Sequence, residues 1–272
     1  MTDEIIKYPR TPHLEGSRLQ PGDTDDGIRL ADLPEGMDYV WEEKLDGANT
    51  GVSFDEDANL VLQSRGHRLT GGPREKQFDL LKAWAALHQD LLFDVLGTRY
   101  VMYQEWMTAL HTVYYDNLPH YAFEEDILDK QTGGFLSTDR RRALLEGTPF
   151  LSVPVLHRGR LASVREVKAL VGPSLYVTEN WRESLARSAE RAGTDPVRVL
   201  AGVDGSGLSE GVYLKVEDPR SGTVVGRYKW VRRDFVQTIL DSGSHWQDRT
   251  LVHNGLAPGV DLLAAPVPVH AP

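Results

Sequence analysis

The chain has no cysteine among its 272 residues, which excludes disulfides, a catalytic thiol and thiolate metal sites. It also lacks any apolar run long enough to span a bilayer, so no membrane partner is expected. Its first residues, Met1-Thr2-Asp3-Glu4, are acidic and unlike a signal peptide, and a cytoplasmic protein is the simplest reading. Basic charge is in deficit: 30 Lys and Arg against 40 Asp and Glu give a net charge of −10. That excludes a surface that grips nucleic acid all round, and leaves room for a local basic groove. Basic residues cluster at Arg140-Arg141-Arg142, at His157-Arg158-Gly159-Arg160 and from Arg227 to Arg233. Taken singly, each cluster reads as a solvated face. His111, His120 and His157 are not spaced as metal ligands on one element, and a scattered His is more often structural.

What is present can build a sizeable core, since 40% of the residues are hydrophobic. The length suits one large domain or two small ones, and no repeat or composition shift marks a boundary. Residues 37–66 read as strands with a turn at Asp55–Asn59. Residues 74–96 read as the longest helix, with Phe78, Leu81, Trp84, Leu87, Leu91, Leu92 and Val95 at helical spacing. The aromatics of that stripe are expected in the core rather than on a base-stacking platform. Tyr100–Trp106 and Tyr121–Leu128 read as strands, and Thr138–Leu145 as a short basic helix. Ser163-Val164-Arg165-Glu166 has the pattern of a capping box. Helices are expected over 179–192 and from Pro196, then a hairpin of Gly211–Asp218 with Thr223–Trp230, then a last helix over Arg233–Leu240. One domain over residues 1–256 and a disordered tail over 257–272 complete the expectation.

The segment Glu42-Glu43-Lys44-Leu45-Asp46-Gly47 follows the apolar stretch Tyr39-Val40-Trp41. That is how a lysine is presented when its amine must attack a nucleotide α-phosphate. The amine must be neutral to attack, and an ordinary lysine titrates near about 10.4. Nearby cations or a metal lower that value, and Lys215, Arg227 and Lys229 are the candidates. Ser64-Arg65-Gly66 ends a strand and places Arg65 for a ribose or a phosphate. Tyr103-Gln104-Glu105-Trp106 carries a carboxylate in an apolar strand, costly to bury unless it is used. Ser209-Glu210-Gly211 through Lys215 offers a carboxylate, a close-approach glycine and a cation. Gly226-Arg227-Tyr228-Lys229-Trp230 places two cations on one strand face. A three-residue loop, Arg220-Ser221-Gly222, is expected, which sets Lys215 opposite Arg227 and Tyr213 opposite Lys229, with all four side chains on one face. A four-residue loop would shift the register by one and put Lys215 on the other face.

Together these segments resemble the covalent nucleotidyltransferase superfamily of polynucleotide ligases and mRNA-capping enzymes. Within it, they are most similar to ATP-dependent RNA ligases that seal 5′-phosphate and 3′-hydroxyl ends. The lead-in Tyr8-Pro9-Arg10-Thr11-Pro12-His13-Leu14 shares the resemblance, which runs from about residue 8 to 235. It implies an α+β nucleotidyltransferase (ATP-grasp-like) fold of antiparallel sheets flanked by helices; the roughly 40 residues after Trp230 are too few for the OB-fold that many such ligases add, so no C-terminal OB-fold is expected. It further implies a covalent lysyl–AMP on Lys44, adenine reading by Glu43, and ribose contacts from Arg65 and Glu105. Glu210 would hold Mg²⁺ or Mn²⁺, a hard cation suited to carboxylate oxygen. Lys215 and Lys229 would neutralise ATP phosphates, and Arg227 stands where the family usually carries another Lys.

In the segment Tyr121-Ala122-Phe123-Glu124-Glu125-Asp126 the family's adenine-stacking position aligns to Ala122, so Phe123 or Tyr121 is the substitute. The implied partners are RNA ends, in a nicked duplex or a single strand, and a protein that adds substrate grip. The implied setting is RNA repair. The alternatives are a DNA ligase, a capping-type nucleotidyltransferase, or a nucleotide- or RNA-binding module without turnover.

Overall fold

Residues 5–19, 27–235 and 250–264 are described by the structure, a computed structural model. The elements in chain order are β1 (Asp38–Lys44), β2 (Ala48–Phe54), β3 (Leu60–Ser64), α1 (Asp79–Leu87), α2 (Gln89–Leu96), β4 (Tyr100–Trp106), β5 (Ala122–Asp129) and β6 (Gly134–Leu136). There follow α3 (Thr138–Leu145), β7 (Leu151–Ser152), β8 (Val155–Arg158), α4 (Val164–Ala169), α5 (Trp181–Arg191), α6 (Pro196–Ala201), β9 (Gly211–Asp218) and β10 (Thr223–Val231). The strands join one sheet in the order β3-β2-β4-β5-β6-β10-β9-β1-β8, with β7 beside β5. All pairings between these strands are antiparallel except β5 with β7. This is the expected α+β class, a sheet flanked by helices.

Two cores lie under two parts of the sheet. Val52, Phe54, Met102, Trp106 and Ile127 of β2, β4 and β5 pack on Leu81, Trp84, Leu92 and Leu96 of α1 and α2. Tyr39, Trp41, Val212, Leu214, Val216 and Trp230 of β1, β9 and β10 pack on Leu14, Leu30, Leu33 and Val167. Strand alternation then sends Glu42, Lys44, Tyr213, Lys215, Arg227 and Lys229 to the other face of β1-β9-β10. That charged face meets β5: Lys215 Nζ lies 3.5 Å from Asp126 Oδ1, although β6 and β10 separate β9 from β5 in the sheet. The sheet therefore curls around its own ionic face.

Several expectations change in detail. The helix expected over 74–96 is a 3₁₀ turn over Pro73–Phe78 and two helices broken at His88. The imidazole Nδ1 of His88 lies 2.8 Å from the Trp84 carbonyl oxygen, which also accepts the His88 backbone N–H. The capping box at Ser163 and Glu166 forms as expected. Residues 257–264, expected in a disordered tail, return to the core: Ala257 N–H donates to Leu118 O, and Leu262 is buried. Residues 265–272 lie outside the described residues, as does most of the helix expected over Arg233–Leu240.

The hairpin loop differs from expectation while its register survives. Asp218 faces Thr223, so the loop has four residues, 219–222. Val225 then bulges, the pairing resumes at Gly226 with Val216, and Arg227 faces Lys215 while Lys229 faces Tyr213. The extra bulge residue cancels the one-residue slip that the longer loop introduces.

Candidate nucleotidyl-transfer site

Lys44 is the last residue of β1, and the corner after it is pinned from three sides. Asp46 Oδ2 accepts the backbone N–H groups of Thr112 and Val113, each at 2.7 Å, and the Asp46 N–H donates to Tyr115 Oη at 2.9 Å. Gly47 N–H donates to Glu105 Oε1 at 2.9 Å. A Cβ on residue 47 would sit 2.6 Å from Met107 Sδ and 2.8 Å from Trp106 O, so only glycine fits. Lys-x-Asp-Gly is thus a clamp that fixes where the lysine emerges.

Lys44 Nζ lies 2.6 Å from Glu210 Oε2 and 5.4 Å from the Tyr213 ring centroid. Burial pulls its pKa down, but Glu210, Tyr213 and Glu105 outweigh burial, and the ammonium is held well above the ordinary lysine range. This corrects the expectation that Lys215, Arg227 and Lys229 depress Lys44. Lys215 is spent on Glu42 at 2.8 Å and on Asp126, and Arg227 Nε is spent on Asp126 Oδ2 at 2.7 Å. Lys229 acts on Glu210 instead, as one of the charges that lower its pKa. Burial nevertheless pushes the Glu210 carboxyl up to about 7.

Behind this pair lies a network that the sequence reading did not contain. Arg141 of α3 is fully buried and bonds Glu42 Oε1 and Glu124 Oε1, each at 2.6 Å, and Glu125 O at 2.7 Å. Its neighbours Arg140 and Arg142 are exposed, as a solvated face requires. The available signal was on the other strands: Glu42 and Glu124-Glu125-Asp126 sit in buried β-runs, and buried carboxylates need a buried cation. Asp126, held down to about 2 against its burial by Lys215, Arg227 and Arg141, also accepts the Tyr8 hydroxyl at 2.6 Å. The lead-in thereby ties into the same network. Its His13 has a local role, with Nδ1 2.7 Å from Ser17 Oγ.

The remaining candidates divide. Glu105 is on the sheet face of Asn49 and Phe123 and near Lys44, its pKa raised by burial and by Glu125. Arg65 is exposed, one residue beyond the Thr50–Ser64 pair. Glu43 alternates to the face opposite Lys44, where burial, outweighing the lowering effect of nearby Ser174, pushes its pKa up to about 6. Ala122 and Tyr121 belong to the helix-side core, with Tyr121 Oη donating to Asn254 O. Phe123 is 0% exposed, and its ring packs on Tyr176 with centroids 5.0 Å apart.

A divalent cation fits this chemistry. Glu210 presents a hard oxygen donor beside Lys44, and Mg²⁺ is commonly held by one or two carboxylates plus substrate phosphates. Among the described residues no group of three His, Cys, Asp or Glu forms a complete protein cage. The same residues include no helix long and apolar enough to cross a membrane.

A sequence model of the RNA ligase family matches residues 37–231, which include every candidate site residue. No curated protein sequence matches significantly. Among solved structures, an RNA ligase from Naegleria gruberi with PPi is similar at a TM-score of 0.50 and 16% identity, over 76% of this chain and 52% of that one. An apo mutant of the Naegleria ligase gives a TM-score of 0.50 and 16% identity, over 88% and 61%. An archaeal ATP-dependent RNA ligase gives 0.48 and 18%, over 85% and 50%. The likeness to the Naegleria structures shows a shared fold, and the chain spans 52% to 61% of their length.

Proposed function

The chain belongs to the RNA ligase family, and on that premise we propose that it is an ATP-dependent RNA ligase joining 5′-phosphate and 3′-hydroxyl ends. The observation that carries this reading is the pinned Lys44 amine facing Glu210 at 2.6 Å on an otherwise ionic sheet face. In the first step Lys44 Nζ bonds the α-phosphorus of ATP while the bond to pyrophosphate breaks. AMP then passes to an RNA 5′-phosphate and frees Lys44. The 3′-hydroxyl attacks that activated phosphate, and AMP leaves as the phosphodiester forms.

Lys44 must lose its proton before the first step. Glu210 is the group that keeps it there, and Glu210 is also the residue we assign to Mg²⁺ or Mn²⁺. A cation at Glu210 would supply positive charge against the ATP phosphates. A Glu210 carboxylate committed in that way would no longer favour the ammonium, and Lys44 would give its proton to water more readily. Lys229 is the motif cation we assign to the phosphates. Lys215 and Arg227 hold β9 and β10 against β5 through Asp126, and Lys215 also bridges to Glu42 of β1. Glu105 and Arg65 are assigned to the ribose. The net charge of −10 supports a partner that adds RNA grip, and the setting we assign is cytoplasmic RNA repair.

The test is incubation with α-labelled nucleoside triphosphates and Mg²⁺ or Mn²⁺, then sealing of nicked duplexes with RNA or DNA at the 3′-hydroxyl side. The expected result is covalent label from ATP that survives denaturing electrophoresis and alkali but is released by acid, as from a phosphoramidate, absent in Lys44→Ala, and sealing that favours RNA. Protein that stays unlabelled, or label that survives Lys44→Ala, contradicts the reading.

A further inference from the structure

The clamp on the Lys44 corner is itself held from behind. Two residues between β4 and β5 touch the corner. Tyr115 Oη accepts the Asp46 N–H at 2.9 Å, and Met107 Sδ packs against Gly47 so closely that a Cβ there would come within 2.6 Å of it. Neither residue belongs to a strand or a helix. A connection as long as the one from Trp106 to Ala122 keeps a fixed shape only through contacts from elsewhere in the chain.

Residues 252–257 supply those contacts. The Asn254 side chain is buried and spans both ends of the loop. Its Oδ1 accepts the Tyr115 N–H at 3.1 Å, and its Nδ2 donates to Met107 O at 2.7 Å and to Ala109 O at 3.3 Å. Asn254 N–H donates to Thr108 O at 3.0 Å, and Asn254 O accepts the Tyr121 hydroxyl at 2.7 Å. On either side, Leu110 N–H donates to Val252 O at 2.8 Å, and Gly255 N–H to Tyr115 O at 2.7 Å. The place requires a carboxamide, which carries an acceptor and two donors on one planar group. A carboxylate would turn an oxygen onto two carbonyls, and an aliphatic side chain would leave the buried Tyr115 N–H and Met107 O unpaired, which is costly. Asn254 thus bonds the backbone of both residues that touch the corner.

We propose that Asn254 is a positioning residue for the Lys44 amine, and that residues 252–257 are part of the nucleotidyl-transfer site although they lie past residue 231, where the match to the RNA ligase family ends. The path is short. Asn254 fixes Tyr115 and Met107, these fix Asp46 and Gly47, and the corner fixes where Lys44 leaves β1. Asn254 acts through the corner and not on the nucleotide, so it sets the rate of attack and not the affinity for ATP. Its effect on that rate rests on the nucleotidyl-transfer reading, whereas its hold on the corner rests on these hydrogen bonds alone.

The test compares three variants of the full chain. Asn254→Ala removes the carboxamide. Gly255→Ala strips no hydrogen bond, but its Cβ would meet Asp116 Cα and O at 3.1 Å and press the segment off the loop. Ser188→Ala is the control: Ser188 Oγ of α5 donates to His253 O at 2.7 Å, so this variant loosens the same segment without touching its bonds to the loop. Two rates are followed, adenylation over a range of ATP concentrations and acylation of Lys44 by an N-hydroxysuccinimide ester without ATP, read by peptide mapping. Asn254→Ala is expected to lower the maximal adenylation rate about tenfold to a hundredfold, the scale of a misplacement of about 1 Å, with the half-saturating ATP concentration near the parental value. Gly255→Ala should show a smaller loss of the same kind, and it carries the test where Asn254→Ala does not fold. Both should speed acylation of Lys44 severalfold, since an amine released from Glu210 is more often neutral. Ser188→Ala should lower the thermal midpoint and keep both parental rates. Parental rates in Asn254→Ala and Gly255→Ala overturn the assignment, as do an equal loss in Ser188→Ala and a change confined to the half-saturating ATP concentration. An unsubstituted protein that takes no label from ATP overturns the ligase reading, and the acylation rates then decide on Asn254 by themselves.

Discussion

Two ionic groups share the charged face of β1-β9-β10, and they are built differently. At the rim, Lys44 and Glu210 form a pair in which the lysine keeps 14% of its surface exposed. Deeper in, Arg141 joins Glu42 and Glu124 with every side chain at 1% exposure, and Glu42 and Asp126 pass the contact to Lys215 and Arg227. The first arrangement can be opened, since each partner can trade the other for a phosphate, a cation or water. The second cannot lose a member without stranding a buried charge. The difference separates the group that reacts from the group that holds the strands in register for it.

The comparison is broken most severely at Arg141. Arg141→Leu leaves Glu124 buried without its cation and Glu42 with Lys215 alone of its two, and is expected to cost about 3–5 kcal/mol in urea unfolding. Lys44→Met removes the ammonium paired with Glu210 and is expected to cost about 1–3 kcal/mol at pH 7. At pH 5 that cost shrinks, because Glu210 then takes a proton. Equal losses for the two variants would erase the distinction. Arg140→Ala and Arg142→Ala, on the exposed side of the same helix, are expected to change stability by less than about 0.5 kcal/mol.

The pH dependence sharpens the same point. Burial raises Glu210 and Glu125 to about 7 and Glu43 to about 6, with the Asp126 charge adding to the burial of Glu125. Between the ordinary carboxylate value and these raised values the folded chain binds more protons than the unfolded chain. Stability from these groups is therefore complete below about pH 4.5 and is lost as pH rises through 6 to 7. Asp126 works in the opposite sense: its pKa lies at about 2, so its contribution is lost only as pH falls toward that value. Unfolding midpoints should fall from pH 5 to pH 8, and Glu125→Gln should flatten the slope. A midpoint that rises over that interval contradicts the assignment of buried, raised carboxylates.

The legible parts of this site were those with a local cause. The Lys-x-Asp-Gly corner was visible because a nucleophile, a clamp and a close-approach glycine are consecutive in sequence. The facing of Lys215 with Arg227 was visible from strand alternation, although the loop is longer than expected and the Val225 bulge restores the pairing. Arg141 was hidden because its partners lie 99 and 17 residues away, and one buried arginine among three is indistinguishable by composition. The true partners of Lys215 and Arg227 were hidden for the same reason: like-charge neighbours on a strand suggest mutual repulsion until the strand across the cleft supplies the acids. The helix break at His88 escaped notice because the apolar period continues through it.

The most direct measurement of the central claim is peptide mapping after incubation with ATP and Mg²⁺. The account predicts AMP on the peptide that carries Lys44, and none on those carrying Lys215 or Lys229. AMP on another lysine with Lys44 unmodified would contradict it.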